Sequence, residues 1–307
     1  MLKTGSVSQA VYERTAGRKL HITPQPAAAA AEAGRDAGDI CGAICLAVNR
    51  LAAAGTVPGA VCLSFTIPAD MDEAVLKGLM QAADTCLEAM SLAAGQVTVF
   101  AAEGLKDPVI TATAIGGAAD KLFEPSPAAA GQDIVMCGFA GWRGGMKLAA
   151  AHREDIKARF NPSFLEPLFA DEAWAGCDVR EAVKTAAAAG ARAMYAIGDG
   201  GVYTALWDMA RRDDLGLTVS LQDIPIRQET IEVCDHLDMD PYQILGTGGL
   251  LIAADHGQQL REALAGAQIP AAVIGHFTAA ADRVVINHEE KRYLEPFRYE
   301  RVYRDGR

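Results

Sequence analysis

The chain has 307 residues, with 28 basic and 39 acidic side chains and a formal net charge of −11 at pH 7. This balance argues against a general nucleic-acid binder, because a phosphate backbone is bound by clustered Lys and Arg residues. Half of the residues are hydrophobic and only 6% are aromatic, which favours helices packed closely on sheets in a chain long enough for two domains.

The N-terminal residues and the cysteines indicate the compartment. Residues 1–20 include basic side chains but no apolar core of a secretory signal, and no apolar run reaches the length of a membrane span. We therefore expect a cytoplasmic protein without a membrane contact. The seven cysteines are interpreted as reduced thiols. Cys41 and Cys45 have a spacing that suits a metal, but packing in the core is the favoured interpretation.

The first half of the chain is predicted to mix helices and strands. Residues 21–38 contain two prolines and an alanine run, and we expect a linker or a surface helix there. The other predicted elements are helices at 6–20, 39–55 and 70–90 and strands at 61–67, 96–101 and 108–115.

Residues 116–131, rich in proline and alanine, are predicted to join two domains, an N-terminal one at 1–125 and a C-terminal one at 126–307. The second half is predicted to contain strands at 133–138, 193–197, 215–221, 250–254, 271–276 and 283–287 and helices at 146–159, 181–189, 202–212, 228–237 and 258–265. Strands interleaved with helices in both halves predict an α/β plus α+β protein.

A glycine cluster lies between a predicted strand and a predicted helix, at Gly198, Asp199, Gly200 and Gly201. Free N–H groups at a helix N-terminus favour an anion such as phosphate. The alternative is a tight turn without a ligand, which the cluster by itself favours because its spacing matches no phosphate-binding motif. Residues 141–145 form a second glycine turn with the same two interpretations. Its Arg143 suits a phosphate, although exposure in a loop is the commoner outcome.

The remaining polar residues give no catalytic assignment. Five of the histidines, from His152 to His288, are isolated in sequence, and the catalytic residues stay unknown. The tail at 292–307 interleaves tyrosines, a phenylalanine and arginines, a composition that suits an anionic ligand. We favour a terminal strand whose rings pack on the domain.

The glycine cluster continues into Gly-Gly-Val-Tyr-Thr-Ala-Leu-Trp-Asp-Met-Ala at 200–210. Further motifs stand in a fixed order at 47–55, 133–145, 224–230, 234, 240–241 and 248–253. This co-linear series covers most of the chain and is far more specific than its parts. It resembles the AIR synthase-related superfamily, and its wording is most similar to the HypE-like branch of hydrogenase maturation factors.

The resemblance implies a two-domain fold. The N-terminal domain would pair its strands across a homodimer, and the C-terminal domain would close over a cleft that binds ATP and Mg²⁺. It also implies ATP-dependent ligase- or transferase-type activity and, for the HypE-like branch, a maturation partner protein.

The chain departs from the superfamily pattern at the residues that would hold the metal. Arg50 stands at the position of an aspartate, and the segment at 99–103 keeps only Glu103 of its motif. Residues 194–196 lack the carboxylate of the corresponding superfamily motif. Residues 20–39 leave no room for the two strands and paired aspartates that usually precede the next helix in the superfamily. Because Mg²⁺ needs hard oxygen ligands, we expect weak magnesium binding. The predicted ligand-binding residues are Asn49, Arg50, Glu103, Gly198, Asp199, Gly200 and Gly201, with Glu103 as the metal ligand.

Two hypotheses follow from the sequence. In the first, the protein binds a nucleotide or another small phosphorylated ligand, and Arg50 replaces the metal ion as the partner of phosphate. In the second, it is a homodimeric binding or regulatory relative that has lost Mg-ATP chemistry. The missing carboxylates leave its status as an enzyme open.

Overall fold

The computed structural model describes residues 28–33, 37–117, 120–169 and 175–296. The predicted helix at 6–20 and most of the Tyr- and Arg-rich tail lie outside these ranges. Within them, none of the helices combines the length and the apolar character that crossing a bilayer requires.

The N-terminal half forms a four-stranded sheet in the order β1-β4-β2-β3. Its strands are β1 (Ala28–Ala33), β2 (Ala60–Pro68), β3 (Ala93–Ala102) and β4 (Val109–Ile115). β2 pairs in parallel with β3, and the other two pairs are antiparallel. Alternate residues of β2, such as Leu63 and Phe65, are buried while Ser64 is exposed, so one face of the sheet meets the helices.

Two helices cover that face. Helix α1 spans Ala37–Ala53, and α2 spans Glu73–Ala89. The Asp72 side chain caps α2 by accepting a hydrogen bond of 2.7 Å from the Ala74 N–H, and the negative charge also suits the helix N-terminus. Apolar residues of both helices pack with those of β2 and β4 in one core.

The C-terminal half forms a seven-stranded mixed sheet in the order β11-β10-β7-β9-β5-β8-β6. Only the β7–β10 pair is parallel. The strands are β5 (Asp133–Cys137), β6 (Ala193–Ala196), β7 (Gly216–Ser220), β8 (Leu250–Ala254), β9 (Ala271–Thr278), β10 (Arg283–Asn287) and β11 (Glu290–Tyr293).

Helices cover both faces of this sheet. Ile134 and Met136 of β5 pack with one helix layer, and Val135 and Cys137 pack with the other. The helices are α3 (Trp142–Ala151), α4 (Arg153–Arg159), α5 (Pro162–Leu165), α6 (Arg180–Ala188), α7 (Gly201–Arg212), α8 (Gln228–His236) and α9 (Gly257–Gly266). Short 3₁₀ turns occur at Glu166–Leu168, Ala175–Cys177 and Leu221–Asp223.

The two halves share a packed boundary. Ala52 and Ala53 of α1 belong to a core cluster of the C-terminal half, and Cys177 belongs to the core of the N-terminal half. The α/β plus α+β prediction is confirmed. The domain boundary at residue 125 remains a prediction, and the two sheets lie on either side of residues 116–132.

Two details of the predicted elements are wrong. Residues 28–33 were expected in a linker or a surface helix, but they pair with β4 as strand β1. Gly144 and Gly145 lie inside helix α3 rather than in a turn before it.

Candidate functional site

Asn49 connects helix α1 to the C-terminal half. Its side chain is fully buried. The Asn49 Nδ2 group donates a hydrogen bond of 2.6 Å to the Cys177 carbonyl, and the Val179 N–H donates one of 3.0 Å to Asn49 Oδ1. Both ends of the amide are therefore engaged by protein backbone across the boundary, which gives this predicted ligand-binding residue a structural role.

Arg50, the next residue, lies beside the glycine cluster at 198–201. Its guanidinium Nη2 is 3.4 Å from the position that a Cβ on Gly198 would occupy, and a Leu46 methyl is 2.9 Å from the same point. The absence of a side chain at 198 therefore allows α1 to approach the C-terminal half closely. The structure brings together Arg50 and the glycine cluster, two parts of the predicted site that are about 150 residues apart in the sequence.

A half-buried carboxyl group of helix α7 lies within range of the Arg50 charge. Tyr195 Oη donates a hydrogen bond of 3.1 Å to Asp208 Oδ2. Burial raises the pKa of Asp208, while the Tyr195 hydrogen bond and the Arg50 charge oppose that shift. Burial also raises the pKa of Tyr195. Asp208 therefore ionises less readily than an exposed aspartate, although it lies within reach of the Arg50 charge.

The glycine cluster forms the turn between β6 and α7. Gly200 caps the helix with φ +75°, and Gly201 has φ +64°. A Cβ on Gly201 would lie 2.6 Å from the Ile244 carbonyl oxygen and closer still to that of Tyr242. Packing therefore requires glycine at 201 whether or not a ligand binds. Asp199 is the exposed residue of the turn.

The second glycine turn packs on the same chain segment, residues 241–246. Gly141 caps α3 with φ +63°, and the Gly144 N–H donates a hydrogen bond of 2.8 Å to the Leu245 carbonyl. Arg143, expected to be exposed, is instead only 8% exposed. Its charge adds to the lowering of the Cys41 pKa and opposes the burial that raises the pKa of Cys177, which places Arg143 at the boundary between the two halves.

Glu103 is remote from Arg50 within the chain. It follows the last residue of β3, which pairs with Pro68 at the end of β2. Arg50, near the end of α1, lies at the opposite end of β2. The turn that follows α1 leads directly into β2: the Thr56 N–H donates a hydrogen bond to the Leu51 carbonyl, and the Gly59 N–H donates one to the Ile115 carbonyl. Strand β2 spans roughly 26 Å between these two ends. Glu103 is exposed and remains a predicted metal ligand only.

The residues around Arg50 do not fit a magnesium ion. A guanidinium occupies the place where a carboxylate ligand was expected, and the Asn49 oxygen already accepts a backbone hydrogen bond. Across the described ranges, no group of three or more His, Cys, Asp or Glu side chains could hold a metal ion. We derive no step that depends on magnesium.

A separate cavity of about 450 Å³ lies at the start of β6, whereas the glycine cluster follows the end of that strand. Its polar lining includes Gln132, Arg192, Asp255 and His256. Gln132 Nε2 donates a hydrogen bond of 2.9 Å to Asp255 Oδ1, and the Arg192 guanidinium bonds the Ala187 and Ala191 carbonyls. Because its arginine is already bonded to backbone, this cavity is a weaker candidate for a phosphate than the region around Arg50.

Several features of this region have no signal in the sequence. Tyr195 and Asp208 are 13 residues apart, a spacing with no recognised motif, and only the β6–α7 turn brings them together. The burial of Arg143 was missed because glycines on both sides of it predicted a loop.

Residues 151–287 match the family model of the AIR synthase related protein, C-terminal domain. This match over the C-terminal part of the chain supports the resemblance to the AIR synthase-related superfamily that the motifs indicated. No curated protein sequence matches the chain.

Solved structures with the same fold include hydrogenase maturation proteins. E. coli HypE has a TM-score of 0.74 and 18% identity, over 91% of this chain and 87% of that one. HypE in complex with ATP has a TM-score of 0.72 and 18% identity, over 92% and 88%. HypE in a HypE–HypF complex has a TM-score of 0.67 and 16% identity, over 88% and 90%.

Proposed function

We propose that the cleft between the two halves binds a nucleotide or another phosphorylated ligand, with Arg50 as the cationic partner of a phosphate. The observation that carries the proposal is the position of the Arg50 guanidinium beside the Gly198 turn. Arginine presents several N–H donors and pairs well with phosphate oxygens. The HypE structure that contains ATP supports a nucleotide as the ligand class.

Asp208 tunes this arrangement. An anionic ligand competes with the Asp208 carboxylate for the Arg50 charge, but burial disfavours that carboxylate. Protonation of Asp208 leaves Tyr195 and Arg50 in place, so the site can accept a phosphate without leaving a second buried anion beside it.

The same residues support binding without magnesium-dependent phosphoryl transfer. Phosphoryl transfer needs cations that neutralise charge as it develops on the phosphates, and Arg50 supplies a fixed charge in place of a mobile metal ion. We therefore also propose the second function, a non-catalytic binding or regulatory protein of the superfamily, for which Arg50 at an expected aspartate position is the specific observation.

Calorimetric titration of the full chain with ATP tests the binding proposal. We expect saturable binding in EDTA, with an affinity that changes little when magnesium replaces EDTA, because Arg50 rather than a metal faces the phosphates. Binding that requires magnesium would contradict the role of Arg50. Absence of binding to ATP, to ADP and to inorganic phosphate would contradict the proposed ligand class.

We propose a homodimer through the N-terminal sheet. Strand β3 is an edge strand in which nine of ten residues are exposed, and Phe100 is 67% exposed. A long exposed edge with apolar side chains is a template for pairing with another strand. Sedimentation at micromolar concentration is expected to give twice the chain mass of 32.3 kDa, and a monomer would contradict the proposal.

The HypE–HypF complex supports a maturation partner as a further part of the proposal. Co-elution of the purified chain with a HypF protein on a sizing column tests this, and separate elution of the two proteins would count against it.

A further inference from the structure

Three thiols meet where helix α1 packs on helix α2. Cys41 and Cys45 lie one turn apart on α1, and Cys86 faces them from α2. Cys86 Sγ lies 4.0 Å from the Cys41 carbonyl oxygen, and Cys41 Sγ lies 3.8 Å from the carbonyl oxygen of Ala82, one turn before Cys86. Each of these two thiols therefore faces the backbone of the helix that carries the other. The predicted core packing is confirmed, since Cys45 is buried in the core of the N-terminal half and Cys41 packs against that core.

The two thiols differ in exposure and in acidity. Cys41 is half-buried, whereas Cys86 is buried. The interaction with the Cys86 thiol lowers the pKa of Cys41, and the Arg143 charge lowers it further, against the effect of burial. The same interaction raises the pKa of Cys86, with added contributions from Cys45 and from burial. Cys41 thus has the properties of an attacking thiolate and Cys86 those of a neutral neighbour.

We propose that Cys41 is a peroxide-sensitive thiol and that Cys86 resolves its oxidised form as a disulfide. In the first step the Cys41 thiolate attacks a hydroperoxide, the O–O bond breaks, and Cys41 sulfenic acid and an alkoxide or hydroxide form. In the second step the Cys86 sulfur, losing its proton, attacks the sulfenic sulfur. The S–S bond forms, and the sulfenic oxygen leaves as water after accepting a proton.

The second step is helped by the first. The largest cause of the raised Cys86 pKa is its hydrogen bond with Cys41, and the charge of a Cys41 thiolate adds a smaller contribution. Oxidation to the sulfenic acid removes the charge that the Cys41 thiolate carried, so Cys86 deprotonates more readily once Cys41 has reacted. Cys45 is the less suitable partner, because its Sγ is directed to the Met90 sulfur at 3.8 Å and it lies on the same helix as Cys41.

The modification would act on the helix that carries the candidate site. Cys41, Cys45 and Asn49 are spaced by four residues and share one face of α1. The end of α2 is in turn bonded to the C-terminal half, because Arg180 Nη2 donates a hydrogen bond of 2.8 Å to the Met90 carbonyl. A covalent link between the helices therefore fixes α1 relative to both the N-terminal sheet and the boundary at Asn49.

The test is to oxidise the reduced full-length chain with a small molar excess of hydrogen peroxide. Remaining thiols are then blocked in denaturant and the peptides are identified by mass spectrometry. We expect loss of two of the seven thiols and a peptide that links Cys41 to Cys86, both reversed by dithiothreitol. Cys41→Ser and Cys86→Ser each abolish the link. Cys62→Ser is the matched control, since Cys62 is also half-buried, and it retains the link.

A second measurement needs no variant. In the native reduced protein, iodoacetamide is expected to label Cys41 several-fold faster than Cys62, because the thiolate is the reactive form. Labelling of Cys62 at an equal or faster rate would overturn the assignment. So would a Cys41–Cys45 link, a link between chains, or oxidation that leaves both Cys41 and Cys86 as thiols.

Discussion

Gly201→Ala is expected to lower the free energy of unfolding by about 3 kcal/mol or more, at the upper end of single substitutions. The backbone at 201 is left-handed, and the added methyl would lie 2.6 Å from the Ile244 carbonyl oxygen. Because this oxygen belongs to the backbone, the clash is relieved only if the segment at 241–246 moves. The second glycine turn packs on the same segment and would be disturbed with it. Chemical denaturation at equilibrium measures the change.

Gly190→Ala is the matched control for this prediction. Gly190 also has a positive φ, of +95°, but nothing lies within 4 Å of the position its Cβ would occupy. Only the conformational cost of about 1–2 kcal/mol is expected there. Equal losses in the two variants would show that the turn at 198–201 relaxes and that close packing does not explain its glycines.

Asn49→Ala is expected to cost about 2–4 kcal/mol of stability. The substitution removes both hydrogen bonds of a fully buried amide, the one to the Cys177 carbonyl and the one from the Val179 N–H. Each buried polar group that loses its partner costs about 1–3 kcal/mol. The loss is measured by the same equilibrium denaturation.

Asn161→Ala provides the comparison. Asn161 also makes side-chain hydrogen bonds, to the N–H and hydroxyl of Ser163, but it is exposed. Loss of an exposed cap costs about 1 kcal/mol. If Asn49→Ala were no more harmful than Asn161→Ala, the boundary between the two halves would not depend on the Asn49 amide.

The sequence predicts elements whose pattern is local. The strands predicted at 61–67 and 108–115 correspond to β2 and β4, and the helix predicted at 70–90 corresponds to α2. Strand β1 was missed because alanine has little preference for a strand. Its pairing with β4 decides its structure, and that pairing involves residues about 80 positions away.

The candidate site was predicted only in part, for the same reason. The motif order placed Arg50 and the glycine cluster in one cleft, and the structure brings them together. The Asp208 partner, the buried Arg143 and the approach of Cys86 to Cys41 depend on how separate elements pack. Asn49 matched a motif, but its hydrogen bonds to residues 177–179 are visible only in the fold.

Arg50 is proposed to provide the positive charge that binds a phosphorylated ligand. The most direct test is to titrate Arg50→Met and the unchanged chain with ATP in EDTA and to compare the two affinities. Arg261→Met serves as the control, because Arg261 lies on α9 and bonds only the nearby Gln258 at 2.8 Å among the contacts described. Charge-assisted contacts to a phosphate contribute about 1.5–3 kcal/mol, so we expect Arg50→Met to weaken binding roughly 10- to 100-fold. Arg261→Met should leave the affinity unchanged. Equal affinities for Arg50→Met and the unchanged chain would contradict the account, and loss of binding on Arg192→Met instead would move the ligand to the cavity at the start of β6.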